Sequence, residues 1–155
     1  LRVGKAGYGI ERLPQNMTRH DGRMTRFSQW WKRSLRSGHG FAQMGVLHPG
    51  HLRRERLRVW LYAVLLPIIL LTGLILPSWP LIGLTFAGYA LSWLRTLQGL
   101  RRTGLNPRGA AHQALFLTLS KFPNLLGMLT YHLRRLRRTP MRIIEYNSSR
   151  PTKKH

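Results

Sequence analysis

Two uncharged apolar runs, joined by the dipeptide Pro77-Ser78, constrain this chain more than any other feature. No charged residue occurs from Val59 to Leu76, and none from Trp79 to Leu94. A bilayer hydrocarbon core of ~30 Å needs about 20 apolar residues in a helix. The first run meets that length, and the second does so if Arg95 extends its side chain to the interface. Both runs are apolar on all sides, and helices of that kind are buried in a large core or in lipid. A chain of 155 residues offers no core of that size. The expectation is a transmembrane helical hairpin over residues 57–100. Pro67, Pro77 and Pro80 leave open a hairpin that enters the bilayer without crossing it.

Charge sets the expected orientation. Arg53, Arg54, Arg56 and Arg58 precede the first run, and Arg95, Arg101 and Arg102 follow the second, while the connecting loop is neutral. Lys and Arg accumulate on the cytoplasmic side of membrane proteins, so both termini are expected in the cytoplasm. Trp60, Tyr62, Trp79 and Trp93 lie near the ends of the runs, where interfacial aromatic anchors belong. Across the whole chain 26 Lys and Arg stand against four acidic residues, Glu11, Asp21, Glu55 and Glu145, a formal net charge of +22. Such a charge calls for a polyanion or an anionic surface. Most of it flanks the apolar runs, and a basic residue beside an anionic leaflet contributes about 1 kcal/mol of attraction. Anionic lipid headgroups are therefore the expected partner, and a nucleic acid, which would not require the apolar runs, is not expected. The absence of cysteine excludes disulfides, thiolate metal sites and a cysteine nucleophile.

Toward the N-terminus, Leu1 to Gly9 has the pattern of a helix end closed by glycine, and Ile10 to Leu13 and Met17 to His20 alternate as short strands do. Residues 1–23 thus predict the edge of an α/β sheet, too small to bury a core alone. The chain opens on Leu1 with no targeting segment and is expected to belong to a longer one. Residues 24–56 predict an amphipathic interfacial helix and a linker. Phe27, Trp30, Trp31, Leu35 and Phe41 share one side, Gln29, Lys32, Arg33 and Arg36 the other, and Gly38, Gly40, Gly45 and Gly50 loosen the approach to the hairpin. His39, His48 and His51 show no metal-ligand spacing and are expected as solvated loop residues.

Beyond the hairpin, residues 101–140 predict two cytoplasmic amphipathic helices. Asn106 caps the first, Pro107 lies in its first turn, and Pro123 interrupts the segment after Phe122. The second carries Leu125, Leu126, Leu129, Leu133 and Leu136 at helical spacing and ends on Arg134, Arg135, Arg137 and Arg138, which complement its dipole. Residues 141–155 predict a short strand, Met141 to Tyr146, and a basic tail. The fold class is mainly α: an integral membrane hairpin flanked by interfacial helices, with a small N-terminal α/β fragment.

The order of these features carries a resemblance. Ala6-Gly7-Tyr8, Met17-Thr18-Arg19-His20-Asp21, the run from Met24 through Gln29-Trp30-Trp31-Lys32-Arg33 to Gly38, the hairpin and the closing Ile143-Ile144-Glu145-Tyr146 resemble the C-terminal part of bacterial membrane-associated family-2 glycosyltransferases. The resemblance covers nearly the whole chain and is most specific from Met24 to Gly38. It implies an inner-membrane enzyme that transfers a sugar from a nucleotide-sugar donor to a cell-envelope acceptor. It also implies an upstream catalytic domain holding the acidic metal motif, Mg²⁺ or Mn²⁺ and the general base. No paired carboxylates for that chemistry occur in this chain, so it is expected to contain no catalytic residue and to be inactive in isolation.

Processive members of the family carry Gln-x-x-Arg-Trp on the interfacial helix, lining the acceptor and donor-phosphate site. Here the matching stretch is Gln29, Trp30, Trp31, Lys32 and Arg33, with Lys32 at the Arg place and Arg33 at the Trp place, a departure that speaks against processive polymerisation. Aromatic faces at Trp30 and Trp31 suit sugar rings, and a cation suits a departing diphosphate. The same tryptophans also suit simple membrane anchoring. His20 resembles the histidine that completes metal coordination in some related transferases, although a lone His beside Asp21 is more often a structural residue. The alternative functions are a stand-alone basic membrane anchor or assembly protein and, further off, a nucleic-acid-binding protein.

Overall fold

A computed structural model describes Gly7 and residues 26–139, which are mainly helical with no strand among them. The α/β edge at residues 1–23, with Glu11, His20 and Asp21, and the strand and tail of residues 141–155 lie outside the described residues. Six α-helices follow in order: α1 (Phe27–Leu47), α2 (Arg53–Trp60), α3 (Leu66–Ile75), α4 (Trp79–Arg102), α5 (Pro107–Leu119) and α6 (Lys121–Leu136). A π-helical turn, Leu61–Leu65, joins α2 to α3 without a break.

Proline chemistry accounts for that turn. Pro67 has no N–H, so one carbonyl in the preceding turn must lose its helical donor. In the widened register the Leu66 N–H donates to the Leu61 carbonyl, and Pro67 has no hydrogen to offer the Tyr62 carbonyl that follows. The Tyr89 hydroxyl, from α4, donates to that carbonyl at 2.6 Å. One tyrosine thus satisfies the orphaned acceptor and ties the two arms of the hairpin together. Nearer the loop the arms meet at Gly73, where an added Cβ would lie 3.0 Å from the Leu81 Cβ, and farther along Gly88 lies against Leu66. Among the described residues, Arg53–Ile75 is the one helix long and apolar enough to cross a membrane, with 23 residues or ~34 Å of rise. α4 is as long, but Arg95, Arg101, Arg102 and its hydroxyl residues make it more polar.

α1 does not loosen at its glycines. The helix runs unbroken through Gly38, Gly40 and Gly45 to Leu47, because α6 packs along it. The buried stripe of α1 is Ser34, Gly38 and Ala42, and that of α6 includes Asn124, Gly127, Met128 and Tyr131. Gly38 lies against the Asn124 backbone, and Gly127 against the backbone of Leu35 and His39, so the two helices cross at near backbone contact. Ala42, Val59, Met128 and Tyr131 form the core beside this crossing, flanked by Phe41, Val46 and Leu125. The large apolar side chains expected to define the inner faces therefore do less than the small ones. On α6, Leu126, Leu129, Leu133 and Leu136 are exposed and form a second apolar face turned away from α1.

His39 is likewise not a loop residue. It sits within α1, half-buried, with its ring edge-on to Tyr131 at 5.1 Å. Burial lowers its pKa from 6.5, and the Arg134 charge lowers it further. His48 caps α1 and His51 lies in the exposed turn that follows. Asn106 caps α5 as expected, its Oδ1 accepting the Gly109 N–H at 2.7 Å. Pro123, in contrast, does not interrupt the chain after Phe122. The boundary falls at Ser120, and Pro123 occupies the first turn of α6, where a missing N–H costs nothing.

Candidate functional site

The stretch from Gln29 to Arg33 forms the first turns of α1, and the residues around it settle what each side chain can do. Arg26 is the N-cap, with an extended backbone at φ −120° and ψ 138°. Its N–H donates to Gln29 Oε1 at 3.4 Å, so the Gln29 amide reaches back to the helix end rather than outward to a ligand. Phe27, Trp30 and Trp31 form a cluster, with ring centroids 5.0 Å apart for Phe27 and Trp30 and 6.2 Å for the two tryptophans. Trp30 also meets Phe116 of α5 edge-on at 5.2 Å.

Beside this cluster lies an open groove of about 450 Å³. Phe27, Trp30 and Phe116 supply its apolar wall, and Arg26, His112 and Gln113 its polar groups. α5 is held in place by its neighbours: Trp93 Nε1 of α4 donates to the Ala111 carbonyl at 3.2 Å, and Ala110, Ala114 and Thr118 are buried along one side. The groove can hold a flat ring against the aromatic wall with a cation and two hydrogen-bonding side chains at its edge.

Of the five expected contact residues, Gln29 to Arg33, Trp30 alone lines this groove. Trp31 meets the Trp30 ring edge-on, Gln29 caps the helix, and Lys32 and Arg33 are exposed outside the groove. Arg26 supplies the cation in their stead. Arg26 falls within the run that carries the resemblance but was given no role there, and no motif marked His112, which reaches the groove because α5 packs against α4. Among the described residues no group of three or more His, Cys, Asp or Glu side chains could hold a metal ion, and His20 lies outside them.

The chain matches no protein-family model, no curated protein and no solved structure.

Proposed function

We propose that this chain is the C-terminal membrane module of a family-2-like bacterial glycosyltransferase, seated in the inner membrane with both termini cytoplasmic. The observation that carries the seating is the distribution of side chains along the hairpin. Ile68, Leu71, Leu74, Ile75 and Leu76 of the first arm and Trp79, Leu84 and Phe86 of the second all lie exposed toward the loop end. Arg53, Arg54, Arg95, Arg101 and Arg102 gather at the opposite end. An apolar surface of that extent calls for lipid, and a basic base calls for anionic headgroups. The exposed leucines of α6 extend the apolar surface beside the hairpin, as a helix resting in the interface requires.

The transferase part of the reading rests on the resemblance from Met24 to Gly38, and the groove beside Trp30 supports it. There the aromatic wall would take a sugar ring of the acceptor, and Arg26, rather than Lys32, would face its charged groups. Nucleotide sugar, Mg²⁺ or Mn²⁺ and the general base belong in this reading to the upstream catalytic domain, the module's other partner.

Cysteine labelling tests the seating cleanly, since the chain has no cysteine of its own. Ser78→Cys at the hairpin loop should react with a membrane-impermeant maleimide added from the periplasmic side, and Ser28→Cys should not. Loop labelling from the cytoplasmic side alone would refute the crossing. The isolated chain should transfer no sugar from a nucleotide donor with Mg²⁺ or Mn²⁺, and turnover by it alone would refute the module reading.

A further inference from the structure

At the charged end of the hairpin a second cavity, of about 370 Å³, opens between α2, α4 and the start of α6. Arg58 and Tyr62 enter it from one arm, Ser92, Arg95 and Thr96 from the other, and Lys121 from α6. The spacing produces the convergence: positions four apart put Arg58 and Tyr62 on one helix face, and positions three and four apart do the same for Ser92, Arg95 and Thr96. Three cations of three different elements thus face one space that holds no carboxylate among its lining residues.

The charges are unevenly compensated. Arg58 Nη1 donates to Glu55 Oε1 at 3.0 Å, which offsets one of the three. Among the described residues neither Arg95 nor Lys121 forms an ion pair. Burial lowers the Lys121 pKa; the Glu55 carboxylate opposes this, and the Arg58 charge adds to it in smaller measure. A desolvated ammonium beside a guanidinium is unfavourable unless an anion joins them.

We propose that this cavity binds a phosphate group, that of an anionic lipid headgroup, between Arg58, Arg95 and Lys121, with the Ser92 hydroxyl as an additional donor. Phosphate suits the site because it accepts several charge-assisted hydrogen bonds at once. Thr96 already donates its hydroxyl to the Ser92 carbonyl at 2.8 Å and so serves as wall. The lipid source follows from position. Arg58 directly precedes the first uncharged run and Arg95 directly ends the second, which places the cavity where charged base gives way to apolar surface. Leu61, Leu65, Leu91 and Leu94 lie exposed just beyond it, ready to meet acyl chains. The lipid assignment rests on the membrane-seated reading; the phosphate site itself does not.

Binding to the full chain in neutral detergent micelles tests the site, with short-chain phosphatidic acid and inorganic phosphate as the two probes. Phosphatidic acid should bind, and Lys121→Met and Arg95→Gln should each weaken it about tenfold, as loss of a charge-assisted contact does. Arg101→Gln removes the same charge outside the cavity and should change binding less than about twofold. Lys121→Arg keeps the charge and should retain binding, which guards against a folding defect in Lys121→Met. Equal losses in Arg101→Gln and Lys121→Met would overturn the site in favour of diffuse attraction. Inorganic phosphate binding as tightly as the lipid would retain the phosphate site and overturn its assignment to lipid. Failure of the chain to float with phosphatidylcholine vesicles, with micellar binding intact, would refute the seating and leave the site standing.

Discussion

Gly127→Ala offers the sharpest test of how α1 and α6 are held, because a single methyl group would be placed between two backbones. A Cβ at Gly127 would overlap the Leu35 carbonyl and crowd the His39 N–H of α1. Neither neighbour is the free end of a flexible side chain, so the helices must separate. Overpacking typically costs ~1–3 kcal/mol, and a backbone obstacle places this case near ~3. Alanine is a better helix former than glycine by ~1 kcal/mol, which leaves a net destabilisation of ~2 kcal/mol. For a chain of this size that corresponds to a fall of roughly 6 °C in the thermal midpoint, followed by circular dichroism in detergent. Gly40→Ala is the matched control. It lies in the partner helix α1 with nothing within 4 Å of an added Cβ, so it keeps the propensity gain and should melt about 3 °C higher than the parent. If Gly127→Ala melts with Gly40→Ala, the close crossing is wrong.

Two further perturbations probe the hairpin and the crossing separately. Tyr89→Phe removes the donor to the Tyr62 carbonyl and should cost ~1–2 kcal/mol; adding Pro67→Ala, which returns an N–H to that turn, should recover part of the loss, and a strictly additive double mutant would count against the pairing. His39 binds its proton less readily when folded than when unfolded, so its neutral form supports the fold. Its contribution is complete above pH 6.5 and is lost as pH falls below that value toward the lower folded pKa. The thermal midpoint should therefore drop on acidification through this window, and His39→Gln should flatten the drop; an unchanged pH dependence in the variant would exclude His39 as the cause.

How much of this could be read from the sequence depended on the range of the interaction. The Asn106 cap and the apolar runs are local, and each was legible from a few neighbouring residues. The crossing of α1 and α6 was not, because its signal is small residues, Ser34, Gly38 and Ala42 against Gly127, and an apolar-periodicity reading weights large ones. That reading took the glycines of α1 as loosening and the leucines of α6 as its principal face, although the close contact runs through Gly38 and, on α6, uses the side opposite Leu126, Leu129, Leu133 and Leu136. His39 illustrates the same difficulty: its burial comes from Tyr131, far along the chain. At the groove, Trp30 was legible as an aromatic on a basic helix. Its partner Phe116 and the cation Arg26 became part of the same surface only through tertiary packing.

The two cavities are not independent features of the surface. Leu117 of α5 lines both, so the aromatic groove and the phosphate site are neighbours across one side chain. The joint that sets their relative position is Ser120, where α5 ends and α6 begins, and Lys121 is the first residue after it. Ser120 is buried and its hydroxyl donates to the Leu117 carbonyl at 2.7 Å, which holds that joint to the last turn of α5. A lipid held by its phosphate at Arg95 and Lys121 would thus lie beside the groove that Trp30 and Phe116 wall. Membrane attachment and acceptor recognition, which the sequence distributes over separate segments, would then meet at a single helix junction.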